Sequence, residues 1–558
     1  MKQKNKQQNF IKKKRITKFY LRILFTQPIH CFCIFDRPTN IKAMKKNYLI
    51  IAFLFAINTL NSQTFEWLKT PSIDFNTSPN MVTYTSASDG QGNTFVCGFK
   101  DTPFLYNRVQ GNLSLIKYDT NGNELFSKTL TGDLHAHKLQ TDSEGNIYAA
   151  ITFLTNISIG TFIHSQPLFV ENPVLIKFNS NGDYLWHKMI PGEFTNHFTS
   201  IAIDTNQNLY IGYDDYNDSI IEKIDTTNGA TLQTITQTQV KLISSISVDN
   251  EGNIYAAGSC AELNADFNGS EVPAPHLYTI YVVKYNPNGQ MQWVKYIEDI
   301  TCPSPMVKAK TPNEVYFSSH LFDSFAFDNI TPEGPVDGFA DFFLSKLNAN
   351  GQFQWVKEVP GVGSVDIGNS NFLDIDSNGN IYLAGNTRFN IQWNETVVTD
   401  TNGPNYELLV VKYNPSGEVI WAKTAGGTSY DQSHGVSLLP DASVIITGIA
   451  RGDATFEPIQ HTSTTINYYP FVAKMNQSIL SLPETSIGTV SIYPNPTKEN
   501  LTIATNNYTG IATFHNLLGQ KMKTISITAN ETSVDVSELA LGTYFLKIEN
   551  QVVKVVKQ

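Results

Sequence analysis

The stretch TFEWLKT (64–70) decides the fold of this chain. Its pattern, an aromatic residue two positions before a Lys, returns in segments that each follow a short apolar run and a tight turn: YLWHK (184–188), MQWVK (291–295), FQWVK (353–357) and VIWAK (419–423). The first copy has no such run before it. A chain that begins with the last element of its own repeat predicts a ring, in which the chain start completes the final repeat.

Two further patterns recur in a fixed order between these copies. Asp-x-x-Gly-Asn-x-Tyr, as in DNEGNIY (249–255), is followed by apolar-x-Lys-aromatic-Asn, as in VVKYN (282–286). With degenerate copies each pattern occurs seven times, and the Tyr-type position falls at 95, 148, 210, 255, 316, 382 and 445. These intervals of 45 to 66 residues suit a four-stranded blade, with strands a to d and Gly/Asn turns between a and b and between c and d.

The seventh repeat has no strand d of its own. Its strand c ends at FVAKMN (471–476), and FEWLK (65–69) can pair beside it and leave no open edge. We therefore predict an all-β fold, a seven-bladed β-propeller with a one-plus-three closing blade over residues 63–478. An open β-solenoid is the alternative, in which the leading strand lacks a purpose. The repeats resemble those of β-propellers in secreted bacterial proteins.

The C-terminal segment has a sequence pattern different from that of the repeats. After a predicted linker at 479–487, alternation in FLKIE (545–549) and VVKVVK (552–557) predicts a small β-sandwich over 488–558. The segment carries, in order, Tyr493-Pro494-Asn495-Pro496, Leu501, Ile503, Leu518-Gly519-Gln520, Leu539, Gly542-Thr543-Tyr544, Lys554 and Lys557. In these residues it resembles the type A C-terminal sorting domain of the type IX secretion system, and an ordinary accessory sandwich is the alternative.

That resemblance implies a cellular location and a binding partner. Residues 488–558 would engage the type IX secretion machinery of a Gram-negative bacterium. Cleavage in the linker would then release the protein or attach it to surface lipopolysaccharide. The residues that the resemblance assigns to the sorting motif are Tyr493, Pro494, Asn495, Pro496, Gly519, Gly542, Tyr544 and Lys554.

The N-terminal region predicts passage through the inner membrane. Residues 44–62 have the charged start, short apolar core and polar exit of a signal peptide. We interpret residues 1–43 as a mispredicted extension before a true start at Met44; the alternative is a basic cytoplasmic arm before an uncleaved anchor. Removing 1–62 takes 13 of 40 basic and one of 50 acidic residues, which leaves a net charge of −22 and argues against a nucleic-acid partner.

Cysteines and histidines give no metal or cofactor motif. The trimmed chain keeps Cys97, Cys260 and Cys302, for which buried thiols are favoured and a Cys260–Cys302 disulfide is the alternative. The pair His135 and His137 lacks a third ligand. We therefore predict no bound metal or cofactor.

Two short motifs receive a structural interpretation. DIDSNGN (374–380) resembles the start of a calcium loop, but Gly385 stands where a bidentate Glu is needed, so a hairpin turn is favoured. Arg451-Gly452-Asp453 matches an adhesion tripeptide that we attribute to chance within a loop. No catalytic residue is assigned.

Topology predicts a ligand face. The b–c and d–a loops share one side of the ring and are long: 259–279, 318–340, 386–406, 425–434 and 449–468. Ligand sites favour variable loops on a rigid scaffold. The exposed candidates on these loops are Trp393, Tyr430, Asp431, His434, Tyr468 and Tyr469. The leading hypothesis is non-catalytic binding of a glycan or protein; the alternatives are a secreted carbohydrate-active hydrolase or lyase with its site at the channel mouth, and a structural envelope protein.

Overall fold

A computed structural model describes the chain from residue 63 onward with gaps. The described ranges are 63–71, 84–101, 104–105, 108–109, 111–165, 171–190, 197–215, 217–276, 279–297, 304–336, 341–368, 370–401, 405–463, 468–476, 488–506, 509–516, 520–548 and 551–558. The predicted extension, signal peptide and linker lie outside them. Within these ranges the regular elements are β-strands, and no helix is long and apolar enough to span a membrane.

The strands up to residue 476 assemble into antiparallel four-stranded repeats with strands a to d. The strands of repeats 1 to 4 are Thr85–Ser88, Thr94–Asp101, Asn112–Tyr118, Glu124–Thr141, Ile147–Ile159, Asn172–Phe178, Tyr184–Met189, His197–Ile203, Leu209–Asp214, Ser219–Ile224, Thr231–Val248, Ile254–Phe267, Thr279–Tyr285 and Met291–Ile297. Two of them are shared: Glu124–Thr141 is strand d of repeat 1 and strand a of repeat 2, and Thr231–Val248 serves repeats 3 and 4 in the same way.

The remaining repeats follow the same order, except that the last takes its strand d from the chain start. The strands of repeats 5 to 7 are Met306–Thr311, Glu314–Leu321, Asp341–Leu347, Phe353–Lys357, Val365–Ile367 with Leu373–Ile375, Ile381–Thr387, Glu407–Tyr413, Val419–Gly427, Gln432–Leu438, Val444–Arg451, Tyr468–Asn476 and Thr64–Lys69. Short additional strands are Phe104–Leu105, Arg108–Val109, Phe162–Ser165, Ile391–Gln392, Val398–Thr399, Ala454–Phe456 and Ile459–His461.

The chain start pairs with the last repeat, as the sequence predicts. Trp67 lies opposite Lys474 in an antiparallel register, and the Glu66 carboxylate lies 2.7 Å from the Lys474 amine. The a strands contact one another in chain order, and the last contacts the first. The hydroxyls of Ser86 and Ser437, from the first and last a strands, are 3.0 Å apart. The inner strands therefore form a closed circuit.

The recurring a–b turn is built around its Asp. In repeat 4, Asp249 accepts hydrogen bonds from the backbone N–H of Glu251 and Asn253, each at 2.9 Å, and Tyr255 donates its hydroxyl to the same carboxylate at 2.9 Å. Gly252 adopts a φ of +81°, which a side chain disfavours. Asp, Gly, Asn and Tyr thus each have a role in one turn, and DIDSNGN forms the same turn around Asp376.

The recurring Lys and Trp join each repeat to the next. Lys284 of strand c and Trp293 of strand d both donate to the carbonyl oxygen of Ala349 in the c–d turn of repeat 5, at 3.5 and 2.9 Å. The same contact joins Lys177 and Trp186 to Thr226, and Lys474 and Trp67 to Thr120. Apolar residues of neighbouring repeats pack together behind this contact, as Tyr255 and Val282 do with Phe317.

The cysteines differ in environment. Cys97 is a fully buried free thiol, as expected. Cys260 is disulfide-bonded, so the thiol interpretation is wrong for this residue. Cys260 is only partly buried, so its sulfur lacks the enclosure that keeps an apolar thiol in a core. Cys302 lies outside the described residues.

The C-terminal segment forms two sheets with one core. Gly488–Tyr493, Asn500–Asn506 and Glu531–Asp535 make a three-stranded sheet. The four-stranded sheet has the spatial order Lys521–Ile527, Gly510–Asn516, Gly542–Ile548 and Gln551–Lys557. Buried residues of both sheets belong to a single apolar cluster, including Leu501, Ile503, Phe514 and Leu546.

Candidate functional site

The predicted ligand residues do not share one environment. Trp393 is 7% exposed, Asp431 is 0% exposed and His434 is 1% exposed, so the expectation that these three are exposed is wrong. The short strands Ile391–Gln392 and Val398–Thr399 pair around Trp393. Its indole N–H donates to the Thr399 hydroxyl at 3.0 Å, and its ring joins the apolar core.

Asp431 is buried because it holds a turn. Its carboxylate accepts the backbone N–H of Gly427 at 2.7 Å and that of Arg451 at 2.9 Å. Burial raises the pKa of Asp431 to about 6, while these two N–H groups act in the opposite direction. The residue ties the d–a loop to the end of strand b.

The side chain of His434 is buried at the start of the strand Gln432–Leu438. Neither ring nitrogen has a hydrogen-bond partner among the described residues, and burial lowers the pKa of the imidazole to about 4. Its backbone carbonyl accepts the N–H of Ser370 at 2.8 Å. The low pKa favours the neutral imidazole at pH 7, and the backbone of His434 joins repeat 7 to repeat 6.

Tyr430 and Tyr468 lie in a group that we call the tyrosine–arginine cluster. Its members, all partly buried, are Arg388, Tyr406, Tyr430, Arg451 and Tyr468. The rings of Tyr406 and Tyr430 are 5.1 Å apart, and the Arg388 guanidinium lies 5.4 Å from the Tyr406 ring. The Arg451 guanidinium lies 5.2 Å from the Tyr468 ring. Such rings can stack on a ligand while the guanidinium groups donate hydrogen bonds.

Tyr430 lies near both other tyrosines of this cluster and near Arg388. Burial raises the pKa of Tyr430. Its neighbours Tyr406, Asp366 and Tyr468 raise this pKa further, whereas Arg388 lowers it. Tyr469, the next residue on strand c, donates its hydroxyl to the Gly452 carbonyl at 3.0 Å, and its ring lies 4.5 Å from that of His461. Tyr469 therefore supports the 449–468 loop.

The ligand residues predicted from the sequence do not include Arg388, Tyr406 or Arg451. Arg451 ends strand b and pairs across with Tyr468, the first residue of strand c. In repeat 6, Arg388 directly follows strand b and Tyr406 directly precedes strand c, beside the paired residues Thr387 and Glu407. The signal is thus a recurring Arg–Tyr pair at equivalent positions of two neighbouring repeats.

The mouth of the ring holds a cavity of about 320 Å³. Its lining includes His137, Lys138, His320 and Phe372. His320 lies 2.9 Å from the Asp366 carboxylate, and His137 lies 2.8 Å from the Thr152 hydroxyl and stacks on His135. No group of three or more His, Cys, Asp or Glu able to hold a metal ion occurs in the part of the chain that the structure describes.

In the C-terminal segment, Asn495 binds the last strand through its side chain. Its amide N–H donates to the Lys554 carbonyl at 2.6 Å, and its amide oxygen accepts the Val556 N–H at 2.8 Å. The side chain thereby imitates a strand partner for the edge strand Gln551–Lys557. This contact links the Tyr-Pro-Asn-Pro motif to the basic end of the chain.

The other motif residues flank this contact. Tyr493 is exposed and donates its hydroxyl to Glu531 at 3.0 Å, whereas Tyr544 is buried and donates to the Ala540 carbonyl at 2.8 Å. The other exposed motif residues are Pro494, Asn495, Pro496, Gly542 and Lys554. Gly542 adopts a φ of +152°. Gly519 lies outside the described residues.

Comparison with known proteins identifies the C-terminal segment. Residues 491–558 match the family described as a secretion system C-terminal sorting domain. The chain carries a type IX secretion sorting domain. It is therefore exported by that system to the cell surface or into the medium.

Similarities to the rest of the chain are distant. An uncharacterized WD repeat-containing protein of Acanthamoeba polyphaga mimivirus is 22% identical over an alignment of 378 positions, which covers 51% of this chain and 27% of that protein. The chain thus spans about a quarter of that relative's length. PorZ, a surface component of the type IX secretion system of Porphyromonas gingivalis, is 9% identical with a TM-score of 0.26, covering 85% of this chain and 70% of PorZ. An inactive virginiamycin B lyase from Staphylococcus aureus is 8% identical with a TM-score of 0.34, and the match covers 74% of this chain and 99% of the lyase.

Proposed function

We propose that this chain is a non-catalytic binding protein, surface-attached or secreted, whose loop face presents the tyrosine–arginine cluster to a glycan or protein. One observation carries the proposal: neighbouring repeats each place an Arg guanidinium against a Tyr ring, at 5.4 and 5.2 Å, and the Tyr430 ring lies 5.1 Å from the ring of Tyr406. Partly buried aromatic and guanidinium groups of this kind dominate recognition surfaces because they bury much area and keep polar atoms available.

The proposed scaffold is a seven-bladed β-propeller over residues 63–478 with a one-plus-three closing blade. The pairing of Thr64–Lys69 with Tyr468–Asn476 and the closed circuit of a strands support it. Residues 479–487 form a linker, and 488–558 form a small β-sandwich, which the shared core of the two C-terminal sheets supports. Residues 44–62 act as the signal peptide, after the mispredicted extension 1–43.

The proposed partner of residues 488–558 is the type IX secretion machinery, followed by cleavage in the linker and release or attachment to lipopolysaccharide. Truncation at residue 485 tests the first step. The truncated protein is expected to accumulate in the periplasm, and normal surface delivery would overturn the assignment. A ladder-like mobility shift in the membrane fraction, lost in a strain without lipopolysaccharide attachment, distinguishes attachment from release.

A binding array tests the ligand face. The secreted protein is applied to immobilised glycans and host proteins, and each hit is repeated with Tyr430→Ala and Arg388→Ala. Each variant is expected to lose about 10-fold or more in affinity, since central aromatic and Arg contacts carry most of the binding energy.

Tyr184→Ala is the matched control, because Tyr184 is a partly buried tyrosine on an outer d strand, away from the cluster. Its affinity should equal that of the wild type. If Tyr430→Ala and Arg388→Ala also bind as the wild type does, the tyrosine–arginine cluster is not the ligand site.

A further inference from the structure

A second cavity, of about 240 Å³, lies at the centre of the ring. The a strands of several repeats line it, and polar side chains are frequent among its lining residues: Ser86, Gln140, Ser200, Ser245, Ser247 and Asn371. Two lysines also line it, Lys138 from repeat 2 and Lys308 from repeat 5. Two lysines from separate repeats thus line one polar cavity.

Lys138 lies across the channel. Its amine donates to the carbonyl oxygen of Ser370 in repeat 6 at 3.0 Å, and the residue lines both the central cavity and the cavity at the mouth. The side chain therefore forms a boundary between the two cavities.

The charges in this space do not balance. Lys308 lies 3.3 Å from one oxygen of Asp374, whose other oxygen accepts the backbone N–H of Leu438 at 3.2 Å. At the mouth, His320 is paired with Asp366. Among the described residues no carboxylate lies within ion-pair distance of Lys138, so the amine has only a carbonyl oxygen as partner.

The serine hydroxyls do not compensate for this charge, because they join the a strands to one another. Ser245 exchanges hydrogen bonds with the backbone of Val307, and Ser200 accepts the N–H of Ile246 at 2.7 Å. Ser86 bonds to Ser437. A partly buried cation without a nearby counter-charge favours loss of its proton or the binding of an anion.

We propose that the central channel binds one small oxyanion between Lys138 and Lys308. The two ammonium groups supply the charge and the donors, and Asp374 holds the Lys308 amine in place at 3.3 Å. In the absence of an anion, burial and the nearby Lys308 lower the pKa of Lys138 to about 7. A bound anion reverses that shift, so binding above pH 7 takes up a proton. The site is independent of the tyrosine–arginine cluster and of its ligand.

Calorimetric titration of the full chain with sulfate tests the proposal, and acetate is titrated in parallel to separate an inorganic from a carboxylate ligand. Saturable binding with one site per chain is expected for at least one of them. Titration at pH 7.5 in buffers of different ionisation enthalpy should show proton uptake. Lys138→Met should weaken binding about 10-fold or more, and Lys138→Arg, which keeps a charge that does not titrate, should bind without proton uptake.

The matched control is Lys295→Met, because Lys295 pairs with Asp328 at 2.6 Å on an outer d strand. It should bind as the wild type does. Absence of saturable binding of both anions to the wild type overturns the proposal, and this titration needs no variant. Unchanged affinity in a folded Lys138→Met or Lys138→Gln variant also overturns it.

Discussion

Trp67 and Lys474 donate hydrogen bonds to the same acceptor, the carbonyl oxygen of Thr120, each at 3.2 Å. Trp67 lies in the first described strand, Lys474 in the last strand of the ring, and Thr120 in the c–d turn of repeat 1. Trp293, Lys284 and Ala349 make the same contact between interior repeats. The ring therefore closes through the interaction that joins its other repeats, with one donor supplied by Thr64–Lys69 and the other by Tyr468–Asn476.

Replacing Thr64–Lys69 by a Gly/Ser segment should open the ring. The edge of Tyr468–Asn476 loses its partner, and unpaired edges promote association between chains. Loss of Trp67 alone, by Trp67→Ala, is expected to cost about 3–5 kcal/mol, as for other buried aromatic truncations. Thermal unfolding and size-exclusion chromatography should show a lower midpoint and oligomers.

A synthetic peptide of residues 63–70 should restore the monomer and raise the midpoint of the replaced chain, because it supplies strand d in trans. A peptide of the same composition in scrambled order is the control. If the native peptide has no more effect than the scrambled one, the closing strand does not hold the ring together.

Gly122, in the c–d turn of repeat 1, packs against the Trp67 ring, so its substitution tests how much this packing contributes to stability. It has a φ of +77°, and an added Cβ would lie 2.8 Å from two atoms of the Trp67 ring. Gly122→Ala is therefore expected to destabilise the protein by about 2–4 kcal/mol, from backbone strain plus overpacking. Gly269→Ala is the control, since Gly269 has a similar φ of +86° but faces open space, and it should cost only about 1 kcal/mol. Equal losses in chemical denaturation would show that contact with Trp67 contributes nothing.

What the sequence could predict follows from the range of the interactions. The turn around Asp249 and the pairing of residues 65–69 beside 471–476 were predictable, because repeated local patterns encode turns, and an unpaired strand needs a partner. The burial of Asp431 and His434 was not, because strand alternation gives the face of a side chain but not how deeply neighbouring repeats cover it. The pairing of Arg388 with Tyr406 depends likewise on two strand ends separated by a long loop.

Protonation of His434 should lower the free energy of unfolding at acidic pH. Its pKa is lowered to about 4 in the folded state from 6.5, so its contribution to stability is complete above pH 6.5 and is lost as pH falls toward 4. The loss amounts to about 3 kcal/mol from this residue. Asp431 acts in the opposite sense, because its raised pKa of about 6 adds relative stability as pH falls below that value.

Stability measured between pH 7 and 4 should therefore fall less steeply in His434→Phe than in the wild type. His434→Gln, which keeps a polar group but does not titrate there, should show the same flattening despite a different absolute stability. Asp431→Asn should make the loss of stability between pH 7 and 4 steeper. Variant curves that run parallel to the wild type would show that His434 is not a buried neutral base.

Asn495 offers a test of how the sorting domain is held together. Both of its hydrogen bonds reach backbone atoms of the last strand, at Lys554 and Val556, so Asn495→Ala leaves that edge unsatisfied, whereas Asn495→Asp keeps only the acceptor half. Cell fractionation should show reduced surface delivery and periplasmic accumulation, greater for Ala than for Asp. Asn350→Ala, in an exposed c–d turn of repeat 5, is the matched control and should be delivered normally. Full delivery of Asn495→Ala would mean that the machinery recognises the Tyr-Pro-Asn-Pro segment without its attachment to the last strand.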